Sequence, residues 1–332
     1  MTNSTILCMG ELLLRLTAPR QELLLQSREL IASFAGAEAN VAVALSSFGH
    51  HAKLLTVLPE NQIGDASLAE LRKYGVDTNA IARVPGRMGL FFLTPGVVRR
   101  PSEVEYDRKD SAFALNPALA SSTPHLSTAQ WFHVSGITPA LGPACAITTV
   151  AAVKAARQAG LEVSFDGNYR SKLWQGREGQ APAILKSVLE HATTFFGDER
   201  DIALILQRPI KDRSEAVELA FNDFPALQTI ACTSRSQASA SQQTYGAELF
   251  TRKERFAVTA IELSGIVDRI GTGDVFAAGI IHGLVSRMSL QDTLEFAHAA
   301  ACMKHSIPGD FFPCGIIVVQ TAIKNSNLDV NR

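Results

Sequence analysis

A chain of 332 residues, 46% of them hydrophobic, is long enough to bury the core of one large domain or of two domains. Its 31 basic and 32 acidic residues nearly balance, and the net charge of -1 argues against nucleic acid or an anionic membrane as a partner. The five cysteines form no CxxC pair, which is typical of reduced thiols in a cytosolic protein and argues against a zinc site.

The N-terminal stretch and the hydropathy pattern indicate the compartment. The N-terminal residues contain no basic segment, and Glu11 and Arg15 interrupt the apolar run that follows. Both features argue against a signal peptide. No uninterrupted apolar run approaches the length of a membrane span. We therefore expect a cytoplasmic protein without a nucleic-acid or membrane partner.

The first third of the chain is predicted to contain strands and helices, including two strands that do not alternate with helices. We expect helices at 38–48 and 65–74, and strands at 5–9, 12–16, 30–34 and 53–58. Asp65 is a suitable N-cap for the second helix and Gly75 a suitable stop. Two further strands, at 90–93 and 104–106, flank an exposed turn instead of a helix. Together with residues 12–34 they predict a small sheet that stands off the main body, as lids and dimer contacts do.

From residue 131 onward the pattern alternates regularly between strand and helix. The predicted segments are strands at 131–134, 162–166, 193–196 and 227–232, with helices at 145–158 and 184–191. This alternation predicts a parallel sheet with helices on both faces. An antiparallel edge at 244–250 and 255–258 precedes two last helices, at 291–305 and 316–324. Because ligands of such sheets bind at the carboxyl ends of strands, we expect functional loops after residues 9, 34, 134, 166, 196, 232 and 270.

The stretch 266–284 combines a glycine turn, an aspartate directly after that turn and an apolar segment. Gly271, Thr272 and Gly273 predict a tight turn, and the residues after Asp274 mix small and large apolar side chains, as in a helix buried on most sides. The unpaired N–H groups of a helix start, together with the helix dipole, favour an anion such as phosphate. A carboxylate at such a place is explained if its task is to accept a proton.

Other interpretations of this stretch are weaker. A plain turn that joins a strand to a buried helix is the structural alternative. Phe276 occupies the third glycine position of GxGxxG, which argues against a dinucleotide fingerprint. The chain contains no Gly-Lys pair, which excludes a Walker loop.

Two segments resemble motifs of the ribokinase-like (PfkB) sugar kinases. Residues 268–274 resemble the family signature Asp-x-x-Gly-Ala-Gly-Asp, with Thr272 in place of the usual alanine. Gly36 and Asn40 match a Gly-Gly-x-x-x-Asn element, in which Ala35 replaces the first glycine. The family's glycine and asparagine touch sugar hydroxyls.

Further features are similar to the 2-keto-3-deoxygluconate kinase branch of that family. These are Glu38 in the form Gly-Ala-Glu-Ala-Asn and the block Asp-x-Asn-x-Arg-x-x-Leu-Trp at 166–174. The resemblance implies an α/β fold, a ribokinase-like three-layer sandwich with a mostly parallel central sheet. It implies a single domain over residues 1–325, with a small β-sheet lid inserted from about 12–34 and 88–108. The implied activity is the transfer of a phosphoryl group from ATP, with Mg²⁺, to the 6-hydroxyl of 2-dehydro-3-deoxygluconate.

The resemblance also implies a role for each part of the site. Asp274 is the base that takes the proton from the acceptor hydroxyl, and the N–H groups of Gly271, Thr272 and Gly273 form the anion hole. The residues expected to hold the sugar acid come from the body and the lid: Gly36, Asn40, Phe91, Tyr106, Arg108, Asn168 and Arg170. Two arginines from different segments of a nearly neutral chain favour an anionic sugar, since a guanidinium fork meets a carboxylate in two hydrogen bonds.

The nucleotide side of the expected site departs furthest from the family pattern. Asp198 and Asp201 stand at the ends of the family's Asn-x-x-Glu element, where acidic groups organise Mg²⁺ on the phosphates through water molecules. A helix that Asp198 caps is the alternative there. Thr233, Arg235 and His305 are expected to bind the nucleotide. The resemblance implies a homo-oligomer, a dimer through the lid or a larger assembly, and leaves a requirement for a monovalent cation such as K⁺ open.

Two alternative functions remain at this stage. A kinase of a neutral sugar, of the fructose or ribose type, uses the same phosphoryl-transfer machinery. A regulator that binds sugar or nucleotide without catalysis is the second alternative. The altered Asn-x-x-Glu element favours the regulator, and the intact Asp274 argues against it.

Overall fold

The computed structural model describes residues 5–324. Its strands are β1 (Thr5–Met9), β2 (Leu13–Thr17), β3 (Ile31–Ala35), β4 (His51–Leu55), β5 (Val57–Pro59), β6 (Ala82–Val84), β7 (Gly89–Thr94), β8 (Glu103–Asp107), β9 (Trp131–Ser135), β10 (Glu162–Asp166), β11 (Thr194–Phe196), β12 (Thr229–Ser239), β13 (Gln242–Thr251) and β14 (Arg255–Ser264). Its α-helices are α1 (Ala37–Ser47), α2 (Gln62–Lys73), α3 (Ala112–Leu115), α4 (Ile137–Ala140), α5 (Pro143–Gln158), α6 (Ala181–Leu189), α7 (Glu199–Leu206), α8 (Arg213–Asp223), α9 (Thr272–Val285), α10 (Leu290–Lys304) and α11 (Ile316–Lys324).

A central sheet of eight strands organises the body of the protein. The strand order is β14-β13-β12-β11-β10-β9-β1-β4. Neighbours from β4 through β12 pair in parallel, while β13 and β14 form the antiparallel edge that the sequence predicts. The carboxyl ends of the parallel strands therefore lie along one edge of the sheet, where ligands of α/β proteins bind.

Two apolar layers cover the two faces of this sheet. In β1, Ile6 and Cys8 point to one layer, and Leu7 and Met9 point to the other, because successive side chains of a strand alternate. The first layer packs against α1, α9, α10 and α11, and the second packs against α5, α6, α7 and α8. This arrangement confirms the expected three-layer α/β sandwich with a mostly parallel central sheet.

A separate sheet of four strands forms the expected lid. Its order is β3-β2-β7-β8, with β2 antiparallel to β3 and parallel to β7. Leu13, Ala35, Phe91 and Leu93 build a small apolar cluster beneath it. A third, two-stranded sheet pairs β5 with β6. The domain limits of 1–325 stay a prediction, since residues 1–4 and 325 lie outside the described part of the chain.

Two elements near residue 60 differ from the sequence prediction. The predicted strand 53–58 is divided, because β4 joins the central sheet while β5 pairs with β6. The predicted helix 65–74 begins earlier, since the Asn61 side chain accepts the N–H groups of Ile63 and Gly64 and so caps α2. Asp65 lies in the first turn instead and pairs with Arg83.

The β-branched run before the glycine turn also differs from expectation. The sequence predicted a strand that ends at residue 270, but residues 266–270 form an irregular loop. Oδ1 of Asp268 accepts the N–H of Ile270 at 3.0 Å, which turns the chain there. The helix α8 was not predicted, and α7 was considered only in the alternative in which Asp198 caps a helix. Over residues 5–324, no helix combines the length and apolar character that crossing a membrane requires.

The helix α9 packs closely against α10, and two glycines make this possible. A Cβ built at Gly279 would lie 2.5 Å from Cα of Ala297, and one at Gly283 would lie 2.4 Å from the Thr293 hydroxyl oxygen. Real Cβ atoms do not approach backbone atoms so closely. The small residues in this apolar helix therefore set the distance between the two helices, and with it the position of the start of α9.

We expect Gly279→Ala to destabilise the fold. Alanine gains up to about 1 kcal/mol of helix propensity, but forcing α9 and α10 apart costs about 1–3 kcal/mol or more. The net loss in free energy of unfolding is measured by urea denaturation. Gly179→Ala is the matched control, because a Cβ there meets nothing within 4 Å. Equal stability of the two variants would contradict the packing argument.

Candidate active site

A cleft of about 920 Å³ lies between the lid sheet and the carboxyl ends of β10, β11 and β12. Most of the site residues that the sequence predicts line it: Gly36, Asn40, Phe91, Tyr106, Arg108, Asn168, Arg170, Asp198, Asp201, Thr233, Arg235, Gly271, Thr272, Gly273 and Asp274. These residues come from segments far apart in the chain. The fold therefore brings the separate motifs to one place.

The start of α9 forms an anion cradle. Gly271 precedes the helix with φ of +83°, and a Cβ there would lie 2.5 Å from the carbonyl oxygen of Asp310, so that only glycine fits. The Thr272 hydroxyl donates to the carbonyl of Arg269 at 2.9 Å. The N–H of Val275 bonds back to the carbonyl of Gly271. The N–H of Thr272 donates to the carbonyl of Arg269 at 3.4 Å, whereas the N–H groups of Gly271, Gly273 and Asp274 have no backbone partner among the described residues. The partial positive charge of these N–H groups suits a phosphate.

Asp274 lies in that first turn, at the floor of the cleft. Nδ2 of Asn40 donates to its carboxylate at 2.6 Å. Burial raises the pKa of Asp274 well above its ordinary value, the Asn40 hydrogen bond lowers it, and the neighbouring carboxylates of Asp166, Asp310 and Glu38 raise it further. A carboxylate with increased proton affinity, hydrogen-bonded and directed into a cleft, is suited to accept a proton from a bound hydroxyl.

The start of α1 approaches Asp274 from the other side. A Cβ at Gly36 would lie 2.4 Å from the carbonyl oxygen of Glu11, so glycine is required where the chain enters α1. Oδ1 of Asn40 accepts the N–H of Gly36 at 3.3 Å while its Nδ2 faces Asp274. The two residues therefore hold a fixed polar corner beside the carboxylate of Asp274.

The lid contributes a buried arginine to the cleft. Nε of Arg108 donates to Glu11 at 2.7 Å, and the Ser111 hydroxyl donates to the other oxygen of Glu11. Arg108 is 5% exposed, and its Nη1 has no hydrogen-bond partner among the described residues. The rings of Tyr106 and Phe91, with centroids 6.3 Å apart, line the cleft beside it. Arg108 lines the cleft, and a guanidinium group there is suited to an anionic group of a ligand.

The loop after β10 adds polar groups to the same cleft. Burial raises the pKa of Asp166 to about 7, with a further increase from Asp201 and an opposing effect of Arg170. Oδ1 of Asn168 is buried without a partner among the described residues. Arg170 is exposed to the cleft, and its Nη1 donates to the carbonyl of Tyr169 at 3.2 Å. Residues 166, 168 and 170 of the Asp-x-Asn-x-Arg block therefore all line one cleft.

Asp198 and Asp201 cap the helix α7. Asp198 accepts the N–H of Arg200, and Asp201 accepts the N–H of Asp198 at 3.0 Å, which is a capping box. Asp198 also pairs with the Arg200 guanidinium at 2.5 Å. The helix-cap alternative therefore holds for Asp198. Both acids line the cleft as well, so they fit a hydrated Mg²⁺ held mainly by phosphates. Within residues 5–324, no cluster of three or more His, Cys, Asp or Glu side chains could hold a metal by itself.

His305 does not line the cleft, in contrast to the sequence prediction. Its Nε2 lies 2.7 Å from Nε2 of Gln243, and its Nδ1 lies 2.8 Å from the carbonyl of Ala301. Burial lowers the pKa of His305 to about 4, which keeps the ring neutral. The carbonyl of His305 accepts the N–H groups of Val267 and Asp268, so the residue supports the loop before α9. Thr233 and Arg235, on β12, do line the cleft.

Sequence reasoning missed a group of buried charges behind the cleft. Arg15 of the lid strand β2 pairs with Asp268 at 2.6 Å and with Asp310 at 2.5 Å. Glu11, which holds Arg108, was also missed. The one available signal was a charge inside an apolar run: Glu11 and Arg15 both interrupt the N-terminal leucines.

Comparisons with known proteins agree with this geometry. The profile described as pfkB family carbohydrate kinase matches residues 3–311. A 2-dehydro-3-deoxygalactonokinase of Haloferax volcanii is 30% identical, over 97% of this chain and 98% of that protein. A 2-dehydro-3-deoxygluconokinase of Bacillus subtilis is 26% identical over 83% of this chain and 82% of that protein. Plant fructokinases are among the weaker relatives.

A solved structure extends the similarity to the fold. The crystal structure of 2-dehydro-3-deoxygluconokinase from Thermotoga maritima superposes with a TM-score of 0.91 at 34% identity, over 97% of this chain and all of that chain. The implied ribokinase-like fold is thereby confirmed. With the family profile spanning most of the sequence, the chain belongs to the pfkB family of carbohydrate kinases.

Proposed function

We propose that this carbohydrate kinase phosphorylates 2-dehydro-3-deoxy-D-gluconate at its 6-hydroxyl, with ATP as donor, giving the 6-phosphate and ADP. The observation that carries the proposal is the positive charge of two guanidinium groups, those of Arg108 and Arg170, in the wall of one cleft. A neutral sugar offers no group that would compensate this charge. The carboxylate of a sugar acid offers two acceptor oxygens and a full negative charge.

Arg170 strengthens the case for an acid. It reaches the cleft from the loop after β10, while Arg108 reaches it from the lid. Glu11 already balances the charge of Arg108 in part, so a second guanidinium increases the positive character near the ligand. The aromatic rings of Phe91 and Tyr106 beside Arg108 suit the apolar C–H groups of a deoxy sugar.

The transfer step follows from the arrangement at α9. The 6-hydroxyl oxygen forms a bond to the γ-phosphorus as the bond from that phosphorus to the leaving oxygen of ADP breaks. Asp274 takes the hydroxyl proton, and the N–H groups of the 271–274 turn stabilise the charge on the transferring group. Gly36 and Asn40 place the sugar hydroxyls, and positioning of this kind supplies much of the rate in phosphoryl transfer.

The nucleotide is assigned to the side of the cleft opposite the lid. Thr233 and Arg235 of β12 and the acids Asp198 and Asp201 lie there. The two acids would hold the water molecules of a Mg²⁺ ion, which would neutralise part of the charge of the phosphates. Arg235 supplies a positive charge for the phosphates.

A substrate panel tests the proposal. The full chain is assayed with ATP and Mg²⁺ against 2-dehydro-3-deoxygluconate, 2-dehydro-3-deoxygalactonate, fructose and ribose, and kcat/KM is compared. We expect both acids to exceed the neutral sugars by about 10²-fold or more, because a neutral sugar cannot make the hydrogen bonds between carboxylate and guanidinium, each of which is worth about 1.5–3 kcal/mol. Preference for a neutral sugar would overturn the substrate class. The relative from Haloferax volcanii is named for the galactonate, and a preference of this chain for that acid would overturn only the choice of epimer.

We expect Asp274→Asn to lower kcat by about 10³-fold or more, because it removes the proton acceptor and leaves the cradle. ATP binding, measured by isothermal titration calorimetry, should change little. Asp223→Asn serves as the control, since its side chain is 40% exposed and distant from the cleft. Turnover close to that of the parent protein would refute Asp274 as the base, and absence of turnover in the parent with every sugar would favour a binding regulator.

Arg170→Ala should raise KM for the sugar acid about 10- to 100-fold while KM for ATP and the fructose reaction change little, since one charged hydrogen-bond donor is worth about 1.5–3 kcal/mol. Steady-state kinetics with each substrate measure this. Lys172→Ala is the matched control, because Lys172 is exposed close by in sequence and pairs with Glu105 of the lid. An unchanged KM for the acid would remove Arg170 from the carboxylate site.

A further inference from the structure

A buried arginine that does not line the cleft connects the lid to the catalytic turn. Arg15 lies on β2, is 3% exposed, and is absent from the cleft wall. Its Nε donates to the Thr17 hydroxyl at 2.8 Å, its Nη2 to Asp268 and its Nη1 to Asp310. All of its nitrogen atoms are therefore used within the protein. Arg15 therefore acts through the two carboxylates that it joins.

The first of these carboxylates shapes the entrance to the anion cradle. Oδ1 of Asp268 accepts the N–H of Ile270 and its Oδ2 accepts the N–H of Gly309, both at 3.0 Å. Asp268 thus binds the loop before α9 to the loop after α10. Arg15 supplies the positive charge that such a buried carboxylate requires.

The second carboxylate reaches the proposed base through one amide. Nδ2 of Asn40 lies 2.6 Å from Asp274 and 3.4 Å from Oδ2 of Asp310. The backbone of Asp310 also touches Gly271, since a Cβ there would lie 2.5 Å from its carbonyl oxygen. Displacing Asp310 would therefore move both Asn40 and the turn that carries the unpaired N–H groups.

Charge in this region is strongly unbalanced around Asp274. Burial is the main cause of the raised pKa of Asp274, and three carboxylates raise this pKa further: Asp166 from β10, Asp310 from the loop after α10, and Glu38 from α1. Arg15 and Lys304 are the cations that act on Asp310. Lys304 is occupied, because its Nζ donates to the carbonyl of Ile307 at 2.9 Å. Arg15 is therefore the cation in direct contact with Asp310.

We infer that Arg15 is a positioning residue, which fixes Asp274 and the anion cradle by holding Asp310 and Asp268, and which anchors the base of the lid to them. The inference rests on Asp274 as the proposed base and does not depend on which sugar is the substrate. Arg15 acts through other residues and touches no substrate.

One consequence concerns how the lid can move. The strand β2 cannot move away from the central sheet and its helices without breaking two buried ion pairs, those of Arg15 with Asp268 and Asp310. Lid closure over a sugar is then confined to the outer parts of the sheet, β3, β8 and the turn between β7 and β8. A change at Arg15 should loosen lid and catalytic turn together.

The experiment compares the full-length parent with Arg15→Met, Arg15→Lys, Asp310→Asn and the double variant Arg15→Met/Asp310→Asn, using ATP and the best substrate of the panel. Arg15→Met should lower kcat about 10- to 100-fold, since a misplacement of about 1 Å is sufficient for such losses. KM for ATP should change less. Arg15→Lys, which keeps the charge but reaches one carboxylate, should be intermediate. The double variant should recover part of kcat, because it removes the uncompensated charge of Asp310.

The pH profile supplies a readout that a merely structural role would not change. The base must be ionised, so kcat/KM falls as pH falls through the raised pKa of Asp274. Asp310→Asn removes one negative neighbour, which lowers that pKa and should move the acid limb to lower pH.

Hydrogen exchange is a second readout: in Arg15→Met, exchange should increase in β2 and in residues 268–271 together. Arg20→Met is the control, since this lid-region arginine has a side chain that is 69% exposed.

The outcomes separate the two proposals. An acid limb that stays in place in Asp310→Asn, or a double variant no more active than Arg15→Met, would overturn the role of Arg15. If Arg15→Met does not fold, Arg15→Lys and the Asp310→Asn profile still decide. Retained turnover in Asp274→Asn would instead overturn the base on which the inference rests.

Discussion

The burial of several carboxylates beside one helix start is the constraint on which this structure depends. Asp274, Asp310 and Asp268 lie around the turn before α9, and each must be compensated because an unpaired buried charge costs several kcal/mol. The fold meets this requirement with Arg15 and Asn40 and with backbone N–H groups of the two neighbouring loops. Removing one partner of such a buried pair typically costs about 3–5 kcal/mol. Catalytic geometry and stability therefore rest on the same contacts.

The same arrangement explains why the lid is attached where it is. The strand β2 carries Arg15 to the body, and Glu11, just before β2, holds Arg108, which follows β8. The short segment after β1 thus contributes to two places: the turn before α9, proposed as catalytic, and the guanidinium of Arg108, proposed to bind the ligand. Arg108 lines the cleft and has one unpaired nitrogen, while Arg15 does not line the cleft and has all its nitrogen atoms paired. This difference in pairing distinguishes a proposed binding residue from a proposed positioning residue.

The sequence predicts those features that depend on local pattern. Strands 5–9 and 162–166 and helix 316–324 have the predicted limits, because apolar periodicity and flanking turns are local signals. Partners that are far apart in the chain carry no such signal. The pairs of Arg15 with Asp268 and Asp310 join positions 253 and 295 residues apart. Likewise, the β-branched run 266–270 has the composition of a strand, and only its contacts with Asp268, His305 and Gly309 make it a loop.

The layout of the central sheet has a consequence for how the chain acquires its structure during synthesis. The helix α1 covers one face of β1, and α9, which is made much later, packs against α1. Until residues 268–310 have left the ribosome, α1 lacks the cover of α9, and the Arg15 guanidinium lacks both carboxylates. Nascent or truncated chains should therefore expose apolar surface, which makes them prone to aggregation and dependent on chaperones. The turn before α9 and the ion pairs that compensate its buried carboxylates therefore form together, after residues 268–310 have been made.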